Sequence, residues 1–176
     1  LVFKDNILCG NISLNGPFFQ IRYLSPGLHK VQEIDQSRFP SELSPIPVNG
    51  TGIQESIQTN QPLDTGIYID VMVVYTGAAR SGAGGTTAMV NLINLAVTET
   101  NQGYNNSGVD QRIRLAYTAE VDYSEANFNW STTLDRLRAT SDNYMDDVHT
   151  WRDIYGADEV VLLVNDTSYC GLAYIM

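Results

Sequence analysis

Two histidines, His29 and His149, are the only side chains here whose ordinary titration falls near neutral pH. His149 closes the run Asp146-Asp147-Val148-His149, and on a helix the acid one turn back could orient its ring for proton transfer. His29 follows the turn Ser25-Pro26-Gly27. For both, a structural or solvated histidine is the plainer reading. Neither His-x-x-x-His nor Cys-x-x-Cys occurs, and Cys9 and Cys170 have no metal-site spacing. Asp70 lies within the apolar run Ile67 to Tyr75, where a carboxylate needs a partner: a cation, or hydrogen bonds to the surrounding protein. Gly82-Ala83-Gly84-Gly85 occupies the strand-to-helix position of a phosphate loop, but lacks the Walker lysine and the G-x-G-x-x-G spacing. The residues do not assemble a complete active site. What the sequence does offer is a surface: Gly171 to Met176, a short strand whose Gly171 and Ala173 are small enough for a second backbone to approach. Such a strand is a place to lay an extended peptide.

The elements that must position these residues fall into three stretches. Residues 1–40 read as an antiparallel meander, with strands at Leu1-Val2-Phe3, Ile7 to Leu14, Phe18 to Leu24 and His29 to Ile34. Asp5-Asn6, Asn15-Gly16 and Ser25-Pro26-Gly27 are its turns. Residues 41–65, with Pro45, Pro47 and a Gln/Thr/Asn-rich run, read as a linker. From Gly66 to Met176 the texture alternates between strand and helix. Ile67 to Tyr75 is a buried strand, Thr76 to Gly85 a small-residue loop, and Thr86 or Thr87 caps a helix to about Tyr104. Arg112 to Asp122 is the next strand. Ser131 or Thr132 caps a helix through Ala139, and Asn143 to Tyr155 form another. Val160 to Val164 reads as a strand buried on both faces. The order β-α-β-α-α-β predicts an α/β fold with a mixed, mostly parallel sheet.

A net charge of -10 argues against nucleic acid and anionic membrane as partners. No apolar run approaches the ~20 residues of a membrane span. Low lysine content and abundant Asn, Ser and Thr suit an exported protein. The sequons at Asn11, Asn49, Asn105, Asn129 and Asn165 are mostly what chance gives in such a composition.

Four stretches taken together resemble the reprolysin-like (adamalysin-type) metzincin zinc endopeptidases, in their bacterial secreted branch. They are Ile67 to Thr76, the helix ending Asn101-x-x-Tyr104-x-Asn106-Ser107-Gly108-Val109, Arg112-Ile113-Arg114-Leu115, and Cys170-Gly171-Leu172-Ala173-Tyr174. Ile34-Asp35-x-Ser37-Arg38-Phe39-Pro40 is similar to the end of that branch's pro-region. The resemblance implies that residues 66–176 are the upper subdomain of a zincin catalytic domain, a twisted sheet carrying helices. It implies that an extended peptide or protein substrate pairs antiparallel with the cleft-bordering strand. Gly171, Leu172, Ala173 and Tyr174 would then supply backbone hydrogen bonds and a wall of the primed-side pocket. Cys170 would pair with a cysteine beyond Met176. Asp70, with a partner near Asp142 or Asn143, matches a position that binds calcium in some relatives. The zinc helix H-E-x-x-H-x-x-G-x-x-H, which binds the metal and activates water for peptide hydrolysis, does not occur in these residues. The sequence is therefore expected to be part of a larger zinc metalloendopeptidase, inactive by itself, with maturation cleavage in residues 41–65. Cys9 sits outside a cysteine-switch context and reads as a strand residue.

The rival expectation is a non-catalytic peptide- or partner-binding module with a metzincin-like fold. A doubly wound nucleotide-binding domain ranks last, for want of a proper glycine loop.

Overall fold

A computed structural model describes residues 1–48 and 67–175. The meander forms as expected: β1 (Val2–Lys4), β2 (Ile7–Ser13), β3 (Phe18–Ser25) and β4 (Leu28–Glu33) in consecutive antiparallel order. Its turns sit where short polar residues allow left-handed backbone: Asp5 and Asn6 have φ of 50° and 64°, and Asn15 and Gly16 of 50° and 126°.

The second sheet is three parallel strands, with β6 (Tyr68–Thr76) between β7 (Arg112–Val121) and β8 (Glu159–Leu163). Alternation along β6 sends its apolar residues to both faces. Val71, Val73 and Tyr75 pack with Ala79, Met89 and Ile93 of α1 (Gly77–Ala83) and α2 (Thr86–Asn106). Met72 and Val74 pack on the other face with Val121, Tyr123, Met145, Val148 and Ala157, beneath α3 (Trp130–Arg138) and α4 (Asp147–Tyr155). A parallel sheet covered by helices on both sides explains why β6 is a nearly unbroken hydrophobic run. The fold is α/β, as the element order predicts.

The meander is docked on α2. The Asn91 side chain donates to the Lys4 carbonyl at 3.0 Å, and the Cys9 thiol donates to the Asn91 carbonyl at 3.4 Å. Asn11 adds hydrogen bonds to both carboxylate oxygens of Glu99, at 2.9 and 2.8 Å. Cys9 is only 1 % exposed, and burial pushes its thiol up from the ordinary range, so it is a packed strand residue.

Four local expectations are corrected. Thr76 to Gly85, read as a loop, contains α1. The Thr76 hydroxyl accepts from the Ala79 N–H as an N-cap, Ala79 is buried, and Gly84 ends the helix at φ 96°. That local bond and packing outweigh the poor helix propensity of glycine. β8, read as buried on both faces, is an edge strand, with Val161 39 % exposed. The last helix starts at Asp147 rather than Asn143, because Asn143 and Met145 take φ of 66° and 55°. Asn129, and not Ser131 or Thr132, caps α3 by accepting from the Thr132 N–H at 2.9 Å.

The first part of the expected linker is also paired. Ile46–Pro47 form β5, which lies parallel to β9 (Tyr174–Ile175) in a separate two-stranded sheet. The expected strand from Gly171 to Met176 is thus regular only over Tyr174–Ile175; Met176 and residues 49–66 lie outside the described residues.

Candidate functional site: a strand edge held by α3

Residues 170–175 are positioned by long-range contacts from two directions. At the start of the segment, the turn after β8 is tied down by two acids. Glu125 accepts from the Asn165 N–H with both carboxylate oxygens, each at 3.0 Å, and from the Thr76 hydroxyl. Asp166 accepts from the Ser168 N–H at 2.9 Å, from the Ser168 hydroxyl, and from the Trp130 indole N–H at 3.1 Å. These donors, the Ser168 hydroxyl first, hold the Asp166 carboxyl below its usual range. Trp130 also meets Phe128 and Tyr169 edge to face. Gly82 of α1 passes so close that a Cβ there would lie 2.5 Å from Asn165 Oδ1. The neighbour of that glycine is thus the Asn165 side-chain amide.

Farther along, the Tyr174 hydroxyl donates to Asp135, and the Arg138 guanidinium lies 5.0 Å from the Tyr174 ring centroid. Burial, then the Asp135 acceptor, raise the Tyr174 hydroxyl above its ordinary pKa. α3 therefore fixes the strand at both ends, through Trp130 and through Asp135 and Arg138. None of these four anchors, Glu125 included, announces itself in the sequence. Each acts across about forty positions, and no local pattern encodes such a contact.

Leu172 and Gly171 are half-buried, and a Cβ built on Gly171 would meet nothing within 4 Å. The small size of Gly171 is thus not demanded by a neighbour in this structure; the space beside it is open. The backbone edge is engaged by residues 41–48. Leu43 N–H donates to the Gly171 carbonyl at 3.3 Å, Ile46 N–H to Ala173 at 2.9 Å, and Val48 N–H to Ile175 at 2.9 Å. The Cys170 N–H donates to the Ser41 carbonyl at 3.2 Å, and its exposed, unbridged thiol to the Pro40 carbonyl at 2.8 Å.

Asp70 lies elsewhere, at the start of β6. Arg114 grips its carboxylate with two hydrogen bonds of 2.6 Å each, and Arg114 also lies over Tyr68. A guanidinium occupies the carboxylate that the resemblance offered to calcium, and Asp142 and Asn143 instead donate their N–H groups to Asp146. Calcium has no support here. The Arg114 hydrogen bonds are the first cause of a lowered Asp70 pKa. Because the folded carboxyl titrates below the unfolded one, its stabilising contribution is full above the ordinary carboxylate range and disappears as pH falls through the folded value. Arg114→Met is expected to return the Asp70 titration toward its ordinary position, as followed by carbon NMR, and to flatten the acid limb of the stability curve. An unchanged Asp70 titration would refute the assignment.

The histidines are far from any joint task. His29 Nε2 accepts from the Leu8 N–H at 2.9 Å, a structural bond within the meander, so it is not the solvated turn residue expected. His149 Nε2 pairs with the Ala139 carbonyl at 2.8 Å, and it is the carbonyl of Asp146, not its carboxylate, that meets the His149 backbone. Among the described residues no three His, Cys, Asp or Glu side chains cluster as metal ligands. The described residues do not fit a zinc ion.

Comparison with known proteins points one way. The family model described as metallo-peptidase family M12B, reprolysin-like, matches residues 90–176. A peptidyl-Asp metalloendopeptidase of Stenotrophomonas maltophilia (strain R551-3) is 40% identical over 178 residues, covering 98% of this chain. One of Xanthomonas campestris pv. campestris is 37% identical over 182 residues, again covering 98% of this chain. The chain spans only 42% of the length of each. A peptidyl-Asp metalloendopeptidase of Pseudomonas aeruginosa is 33% identical over 107 residues, 61% of this chain and 17% of that protein. No solved structure matches.

Proposed function

This chain belongs to the reprolysin-like metallopeptidase family M12B, and from that premise we propose that it is part of an exported zinc metalloendopeptidase. The observation that carries the reading is the likeness to peptidyl-Asp metalloendopeptidases along 98% of the chain, at 40% identity. On this reading the substrate is a peptide or protein cut at aspartyl residues, as the names of the relatives suggest. Residues 1–40 are the end of a pro-region. The zinc ligands and the group that activates water are supplied by residues outside this sequence. What the present residues contribute is a wall: Gly171 to Tyr174 offer backbone carbonyls and N–H groups to an extended peptide, and α3 keeps that strand in place. Cys170, exposed and unbridged, is available to a cysteine elsewhere in the full protein. The competing reading, a binding module without catalysis, is disfavoured because the relatives are named as peptidases.

The test is a peptidase assay on the full-length protein after proteolytic removal of residues 1–65. Internally quenched peptides containing aspartate should be cleaved, with loss of activity on chelation and recovery on adding zinc. Absence of hydrolysis for every peptide, with zinc supplied, would overturn the proposal.

A further inference from the structure

A substrate cut at aspartyl residues must bring a carboxylate to a chain of net charge -10. Such a surface repels it, so a local cation is needed to receive it. The acids around the strand edge sharpen the need: Glu125 and Asp166 hold the turn before it, and Asp135 meets Tyr174 within it.

The chain has ten lysines and arginines, and nearly all are engaged elsewhere. Both lysines lie in the meander. Arg38, Arg80 and Arg114 are paired with carboxylates. Arg22, Arg112 and Arg152 donate to backbone carbonyls away from the edge, and Arg136 lies over the Tyr144 ring. Arg138 remains. It is the last residue of α3, it is exposed, and its guanidinium lies 5.0 Å from the Tyr174 ring centroid. Among the described residues no carboxylate comes within ion-pair distance of it.

Tyr174 prepares this cation for a ligand. Its hydroxyl engages Asp135, the acid one turn back from Arg138 on the same helix, and its ring gives the guanidinium an electron-rich platform. Burial and the Asp135 bond raise the Tyr174 pKa, and Arg138 opposes them, so the cation acts on this side chain. The register does the rest. Side chains along a strand alternate between two faces. Leu172 and Tyr174 are half-buried, while Ala173 and Ile175 are exposed, so Tyr174 is turned toward α3. A residue paired opposite Tyr174 shares that face; Ile46 holds the position here and is half-buried too. Opposed side chains on a ladder have Cβ atoms about 5 Å apart. A substrate residue in that register therefore sets its side chain beside the Tyr174 ring, within reach of Arg138. A guanidinium meets a carboxylate with two parallel N–H donors, a match in shape and charge that an amide lacks.

We propose that Arg138 is the specificity residue of the cleft, receiving the aspartate carboxylate of the substrate residue that lies opposite Tyr174. The inference rests on two parts of the reading above: that Gly171 to Tyr174 is the substrate strand, and that the substrate is an aspartyl peptide.

The experiment uses the full-length protein after proteolytic removal of residues 1–65, with zinc supplied. Two internally quenched peptides differ only in aspartate or asparagine at one position, and the ratio of their kcat/KM values is the readout. Arg138→Met is expected to lower that ratio at least ~10-fold, mainly through KM for the aspartate peptide, and Arg138→Lys to retain part of it. Arg138→Glu should push the ratio below that of Arg138→Met. In the parent the preference should fade as pH falls through the carboxylate range of the peptide, a limb that Arg138→Met should lack. A purely structural part for Arg138 would weaken both peptides alike and leave the ratio unchanged, which overturns the proposal. A parent that cuts both peptides equally sinks the aspartyl reading of the substrate, and a parent without activity sinks the reading of the site. A parent that prefers aspartate and keeps its preference in Arg138→Met overturns the part of Arg138 alone.

Discussion

Asn91→Asp is expected to loosen the N-terminal sheet from α2 and to destabilise the protein by at least ~3 kcal/mol. Asn91 is completely buried, its amide nitrogen serves the Lys4 carbonyl, and its Oδ1 has no hydrogen-bond partner among the described residues. Aspartate keeps the shape but exchanges the one useful donor for an acceptor. A carboxylate would then face a carbonyl oxygen in a dry contact, with neither group satisfied. Protonation restores a donor, so the defect has a pH dependence. Burial raises the folded pKa of the new acid, and the penalty is full above that value and relieved as pH falls below the ordinary carboxylate pKa. Chemical denaturation at neutral and acid pH measures both effects, and hydrogen exchange in β1 shows where the loosening lies. A variant as stable as the parent at neutral pH would mean that this contact does not hold the meander in place.

Met72→Ala is the second large effect, about 2–5 kcal/mol. Met72 is fully buried at the centre of β6, packed among Val74, Val121, Tyr123, Met145, Val148 and Ala157. Its neighbours come from β6, β7 and the residues just after it, α4 and the residues on either side of α4, so the cavity left by truncation cannot be closed by moving one element. The urea midpoint should fall without a change in slope. Met72→Leu, nearly equal in volume, should cost less than about 1.5 kcal/mol. Equal losses for the two variants would show that volume is not what the site requires.

The elements that were legible in the sequence are those whose cause is local. Asp5-Asn6 and Asn15-Gly16 name their turns because left-handed backbone suits few residues, and the apolar run of β6 names a strand covered on both faces. α1 was hidden because its glycines argue against helix, while its cap and the packing of Ala79 are visible only in three dimensions. β5 was hidden for a subtler reason. Prolines count against a strand when counted, yet at Pro45 and Pro47 their spacing is what an edge strand tolerates. Of the site, the small residues Gly171 and Ala173 mark the segment in the sequence, and likeness to a family gives it the part of a substrate strand. Its supports at Glu125, Trp130, Asp135 and Arg138 could not, since each joins residues far apart in the chain.

The outward prolines of β5 bear on how the protein behaves when crowded. An exposed strand edge is a template on which further chains can add, and this is the usual route from soluble precursor to aggregate. With Pro47 on its outer side and Pro45 just before it, β5 ends the ladder and offers an incoming strand no donor at either position. The segment that pairs with Gly171 to Ile175 therefore shields that edge from a second copy of the protein, and colloidal stability depends on its staying in place.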